Sequence, residues 1–217
     1  MIETRILLGG GGSAADERPI FERFAAWVDG GSVLYLPIAS HYIEKSHLEW
    51  ISTVLHPLGV TKIDMWATLL GHSPAEVGQY QAIFIGGGNT YHLLNQLRVS
   101  GFDEALRHFA GQGGVIYGGS AGAIVQGRDI STGSRLDENV VGLTDTSGLD
   151  LLDGDSVWCH FQPADEPLVR AHVGRVRSPT IVLAENSGVW VRGQRDYVSV
   201  GSGDSYRFTL NEKHKLS

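Results

Sequence analysis

The sequence predicts an α/β protein of three layers: a mostly parallel sheet with helices on both faces. Two observations carry this. Short apolar runs alternate with segments whose apolar residues recur at helical spacing, and glycine clusters stand where the apolar runs end. Alternation of this kind buries parallel strands between helical layers. The chain has 217 residues, enough for one sizeable core, so a single domain over residues 1–217 is expected.

Residues 5–8 form the first expected strand and run into the glycines at 9–12. Residues 14–28 follow as a helix, with Ile20, Phe21, Phe24, Ala25 and Val28 on one face and Ser13 as its N-cap. A second strand covers 32–38, a second helix 43–55 and a weaker third strand 62–66. Residues 81–85 are a strand ending in Gly86, Gly87, Gly88 and Asn89, and helices are expected over 90–97 and 102–109. The strand 114–117 enters Gly118-Gly119-Ser120, where a further helix begins at Ala121. Residues 129–155, rich in Gly, Asp, Ser and Thr, are expected as a long loop or hairpin region, followed by strands at 180–183, 188–191 and 197–200. Ligands of such sheets bind beyond the carboxyl ends of the strands, so the glycine turns at 9–12, 86–88 and 118–122 should converge on one edge.

Composition excludes several classes of function. A net charge of −7 and the lack of a dense Lys/Arg run argue against nucleic-acid binding. No segment approaches the roughly 18 apolar residues that a membrane span needs, and residues 1–5 lack the long apolar stretch of a signal peptide. Cys159 is the single cysteine, which rules out a disulfide within the chain and fits a reducing, cytoplasmic setting. His41, Glu44 and His47 have helical spacing but not the order of a zinc-binding His-Glu-x-x-His, so neither metal nor cofactor is expected.

The chemistry-bearing motif is Gly118-Gly119-Ser120-Ala121-Gly122, a G-x-S-x-G between an apolar strand and a helix start. A serine on such a strained turn exposes its hydroxyl, and the helix N-terminus offers unpaired N–H groups. The Ala121 amide is thus a candidate oxyanion donor, and so are the Gly87 and Gly88 amides of the second glycine turn. Serine needs a base. Of nine histidines, His160 stands apart, closing the apolar run Val157-Trp158-Cys159 before a loop; His92 follows the glycine turn closely. Candidate acids to orient the base are Glu185, at another strand end, and Asp137, in the loop between Ser120 and His160.

These residues resemble peptidase family S51, the dipeptidase E and cyanophycinase-like serine peptidases. The likeness rests on Phe84-Ile85-Gly86-Gly87-Gly88-Asn89-Thr90, on Gly119-Ser120-Ala121-Gly122-Ala123 about thirty residues later, on His160-Phe161, on Leu36-Pro37 and on Ala184-Glu185-Asn186. The resemblance implies a class I glutamine amidotransferase-like fold with serine in place of the nucleophilic cysteine. It also implies Ser120 as nucleophile, His160 as base, and Glu185 or Asp137 as third member, with Glu185 favoured. Asn89 and Arg170 are candidate substrate contacts. The expected partner is a small peptide or amide, with a homodimer left open. The aspartyl dipeptidases of the family carry an arginine-bearing stretch after the histidine. Here that stretch is shorter and reads Ala164-Asp165-Glu166-Pro167-Leu168-Val169-Arg170, which puts preference for an N-terminal aspartate in question.

Three other readings are open to the same residues. An α/β-hydrolase esterase would use Ser120, Asp137 and His160 in that order, although 40 residues between serine and histidine is short for that fold. A dinucleotide site is suggested by Gly9-x-Gly11-x-x-Ala14, but no acid ends the second strand. A catalytically idle binding protein of the same fold is the third.

Overall fold

The computed structural model describes residues 5–191 and 195–217; residues 1–4, which belong to the stretch expected to hold no signal peptide, lie outside them. A seven-stranded sheet has the order β3-β2-β4-β5-β1-β8-β9. Its strands are β1 (Arg5–Gly9), β2 (Ser32–Leu36), β3 (Lys62–Met65), β4 (Ala82–Ile85), β5 (Val115–Gly119), β8 (Ser187–Val191) and β9 (Tyr197–Gly201). The first five are parallel; β8 and β9 add antiparallel pairings at one side.

Strands β4 and β5 are apolar along their length and buried throughout because both faces are covered. In β4, Ala82 and Phe84 join the cluster with Phe21, Phe24 and Val28 of α1 (Arg18–Val28) and Ile51 and Leu55 of α2 (Lys45–Leu55). Ile83 and Ile85 point the other way, into the cluster with Leu93, Leu94 and Leu97 of α3 (Thr90–Ser100) and Phe102 and Leu106 of α4 (Phe102–Gly111). A slip of one residue would exchange these faces, so the packing fixes the register.

The turns at 9–12, 86–88 and 118–122 converge as expected, because β4, β5 and β1 are neighbours. Two local expectations are corrected. The first helix begins at Arg18, with Pro19 in its first turn, not at Ala14. Ser13 is therefore no N-cap: it exchanges hydrogen bonds with Asp16 and accepts the Glu17 amide in a separate turn. The segment after Ser120 is the single turn α5 (Ala121–Ile124).

Residues 129–155 form a 3-10 helix at Ile130–Arg135 followed by irregular chain with one bridge, Asp129 to Ser147. Beyond them lies a second sheet, with order β11-β10-β7-β6, which sequence periodicity leaves largely unseen. It comprises β6 (Ser156–Trp158), β7 (Thr180–Leu183), β10 (Ser205–Phe208) and β11 (Lys213–Lys215), and α6 (Glu166–Val176) packs on it through Val169 and Val173. Fully buried Asp155 accepts hydrogen bonds from Arg207 of β10 at 2.6 and 3.0 Å and from the Tyr197 hydroxyl of β9 at 2.9 Å, which links the two sheets. A buried carboxylate is tolerated when it is paired and hydrogen-bonded in this way.

His172 of α6 is 5% exposed, with its ring near Trp158. Burial pushes its pKa down to about 4. The unfolded chain, with an ordinary imidazole near 6.5, binds more protons between those two values. Stability should therefore fall as pH drops through that window, by roughly 3 kcal/mol in full. In His172→Phe, urea midpoints measured from about pH 7 down to 5 should fall less steeply than in the parent chain.

Candidate active site

Ser120 joins β5 to α5 with φ 52° and ψ −116°, outside the regions that residues with side chains ordinarily adopt. Three bonds over-determine this turn. The Ser120 amide donates to the Gly9 carbonyl of β1 at 3.2 Å, and the Ser120 carbonyl accepts the amides of Ala123 and Ile124, both at 2.9 Å. Position 122 admits only glycine, since a side chain there would run into the Ile85 carbonyl of β4.

The Ser120 hydroxyl stands 2.8 Å from His160 Nε2, and His160 Nδ1 stands 2.9 Å from Glu185 Oε1. The three come from different parts of the chain: the end of β5, the segment after β6, and the turn between β7 and β8. His160 also has positive φ, 53°, and its amide donates to the Gly10 carbonyl at 3.0 Å, which pins the imidazole over the first glycine turn. The His160 side chain is 23% exposed and that of Glu185 64%. In solvent the carboxylate contributes little as an ion pair; what it supplies is orientation of the ring.

Gly86 and Asn89 anchor the second glycine turn through their amides, to the carbonyls of Leu36 at 3.0 Å and Ala39 at 2.9 Å. Between them the amides of Gly87 and Gly88 donate to no protein acceptor among the described residues, and Gly87 lies against the Ser120 side chain. The Ala121 amide, first in its helix, is likewise without an intrahelical acceptor. The geometry thus offers a hydroxyl, an imidazole, a carboxylate and unpaired amides at one strand edge.

The remaining candidates are occupied elsewhere. Asp137 does not reach His160; its Oδ2 accepts the Thr90 amide at 2.9 Å and the Thr90 hydroxyl at 2.5 Å, at the start of α3. The esterase order Ser120, Asp137, His160 therefore has no geometric counterpart. Asn89 caps α3 by accepting the His92 amide at 2.8 Å. The His92 ring packs on His41, with centroids 4.5 Å apart. Arg170 of α6 pairs with Glu166 at 2.7 Å and lies over the Phe208 ring. The dinucleotide reading of residues 9–14 also fails, because no helix opens there and the turn backbone is engaged by His160. Among the described residues no group of three or more His, Cys, Asp or Glu side chains could hold a metal, and no helix is long and apolar enough to cross a membrane.

Sequence reasoning missed Glu17 and Arg135. Glu17, expected on the first helix, lies buried in the wall of the cavity beside Ser120, and Pro19 was the signal that the helix starts later. Arg135 donates to the Cys159 carbonyl at 3.2 Å, beneath the histidine. Cys159 itself is buried with its Sγ 3.6 Å from the Gly9 and Ser120 carbonyls, and burial pushes its thiol well up, so it remains protonated.

The model of peptidase family S51 matches residues 6–198. The uncharacterized peptidase Lmo0363 of Listeria monocytogenes is 26% identical over 191 residues, covering 84% of this chain and 92% of that one. A Peptidase E of Shewanella sp. (strain W3-18-1) is 24% identical over 215 residues, covering 92% and 84%. Among solved structures, a peptidase from an acI-B1 Actinobacterium superposes with a TM-score of 0.70 at 16% identity, over 99% of this chain and 98% of that one. A protein from Listeria monocytogenes EGD-e superposes with 0.74 at 22% identity, over 93% and 100%. The fold is thus class I glutamine amidotransferase-like.

Gly11 has φ +96°, and a side chain there would overlap the His160 ring. Gly11→Ala should displace that ring from Ser120 and slow labelling of the serine by a fluorophosphonate by at least about tenfold, with far-UV circular dichroism unchanged.

Proposed function

The chain belongs to peptidase family S51, and from that membership we propose that it is a serine peptidase, an exopeptidase or small-amide hydrolase that works through an acyl-enzyme on Ser120. The observation that carries the reading is the continuous contact from the Ser120 hydroxyl through His160 to Glu185, at 2.8 and 2.9 Å.

In this reading His160 Nε2 takes the hydroxyl proton as the Ser120 oxygen attacks a peptide or amide carbonyl. Glu185 holds the imidazole in line as it takes up that proton. The oxyanion is received by the amides of Ala121 and of Gly87 or Gly88, fixed dipoles that need no reorganisation as charge develops. His160 returns its proton to the leaving amine, and the same base then activates the water that releases the acyl group. Two features support this division of labour. The strained serine holds its hydroxyl against His160, and Gly87, whose amide like that of Gly88 has no other acceptor among the described residues, stands beside it. The names of the Peptidase E relatives favour a peptide as substrate.

A fluorophosphonate should label Ser120 in the parent chain and fail to label Ser120→Ala. On amino-acyl amides and dipeptides, Ser120→Ala and His160→Ala should each lower kcat by roughly four powers of ten or more, since nucleophile and base act as a unit. Glu185→Gln should cost less than either. Full activity in Ser120→Ala, or turnover of simple esters with no cleavage of amides, would refute the reading.

A further inference from the structure

Beside Ser120 lies a cavity of about 270 Å³ whose walls include the side chains of Glu17, Tyr35, His47, Trp50, Phe84 and Tyr117. Four of these are aromatic and touch in a chain. Ring centroids lie 6.3 Å apart for Tyr35 and Trp50, 5.5 Å for Tyr35 and Phe84, and 4.2 Å for Phe84 and Tyr117. Glu17 is the one carboxylate in the lining, and no lysine or arginine stands among the described residues there. It is 6% exposed, and it is linked directly to the reactive centre. Its Oε1 accepts the Gly11 amide at 2.8 Å, and Gly11 lies against both Ser120 and the His160 ring. Its Oε2 accepts the Tyr117 hydroxyl at 2.6 Å.

Two neutral donors are weak compensation for a carboxylate buried this deeply. Burial raises its pKa, and the hydrogen bonds from Tyr117 and Gly11 offset that only in part. Burial pushes the Tyr35 phenol up to about 12 and that of Tyr117 well up, so neither adds negative charge. His47, whose Nδ1 lies 3.2 Å from the Glu44 amide nitrogen, is the other titratable side chain in the lining besides Glu17 and the two phenols. An acid ringed by aromatic surface is the environment that favours an organic cation, through both ionic attraction and ring faces.

We propose that this cavity receives the substrate residue that becomes the acyl group, and that it selects a residue carrying a positive charge, an ammonium or guanidinium, with Glu17 as counter-ion and the aromatic wall as its surface. The inference rests on the peptidase reading, since it places the acyl residue next to Ser120. The cation has two sources, the peptide's own α-ammonium or a lysine or arginine side chain. An acidic acyl residue would bring a second carboxylate against Glu17 and is disfavoured.

The test uses diphenyl phosphonate analogues of lysine, leucine and aspartate, each with a free or acetylated α-amine. The Ser120 oxygen bonds to phosphorus, phenoxide leaves, and the serine proton passes through His160 to the phenoxide. One of two results is expected: acetylated lysine reacts at least about tenfold faster than acetylated aspartate, which identifies a side-chain cation, or free-amine leucine outpaces acetylated leucine by that factor, which identifies the α-ammonium. In Glu17→Gln the favoured ratio should shrink to within about threefold of unity. A merely structural Glu17 would change stability and leave the ratio intact. If Glu17→Gln does not fold, Trp50→Ala, at a side chain on the half-exposed rim, serves the same comparison. The proposal is overturned if aspartate reacts as fast as lysine while acetylation has no effect, or if the ratio persists in the folded variant. Failure of every analogue and of a neutral fluorophosphonate to label Ser120 would instead overturn the peptidase reading, and this inference with it.

Discussion

The backbone of Ser120 is held where a residue with a side chain does not rest of its own accord, at φ 52°, and the surrounding architecture can be understood as what holds it there. A conformation of this kind costs on the order of 1–3 kcal/mol and persists only when its neighbours over-determine it. The strand before it is fully buried, its amide is tied to β1, and the helix after it starts against the β4 carbonyls with no room for a side chain at 122. Three adjacent parallel strands therefore meet at one residue. The sheet order that makes β4, β5 and β1 neighbours is a precondition of the site as well as a feature of the fold.

The parts of the molecule legible in the sequence are those where one physical signal dominates. The parallel sheet was readable because both of its faces are covered, which turns β2, β4 and β5 into apolar runs of four or five residues. The serine turn was readable because clustered glycines weaken strand and helix alike and so mark a tight turn at a strand end, and His160 because it closes an apolar run before a loop. The start of the first helix was not, because residues 14–17 contain ordinary helix formers and the turn they adopt is stabilised by contacts to Ser13 and Asp16. The second sheet was hidden by its composition. Strands β10 and β11 carry Arg207, Lys213 and Lys215 on half-exposed or exposed surface, and short mixed segments of this kind leave no periodicity.

The acid beside the histidine illustrates the same limit. Asp137 and Glu185 are both candidates by sequence position, one before and one after the histidine, with Glu185 favoured as the acid at a strand end. What separates them is that one carboxylate is already engaged. Asp137 serves the N-terminus of α3, where exposed amides and the helix dipole favour an anion. That choice depends on how a loop folds back across the sheet, a long-range matter that residue types alone do not encode.

Two carboxylates flank the serine, and their environments assign them different work. Glu185 stands in water at 64% side-chain exposure, so its interaction with His160 is screened and its contribution is geometric. Glu17 is almost wholly withdrawn from solvent, where the same charge interacts more strongly and over a longer distance with whatever enters the cavity. An exposed acid can orient a ring without dictating the charge of the substrate, whereas a buried one cannot avoid doing so. If the cavity receives the acyl residue as proposed, the buried carboxylate is the residue that would set its charge preference, while the exposed one would be left to the alignment of the histidine ring.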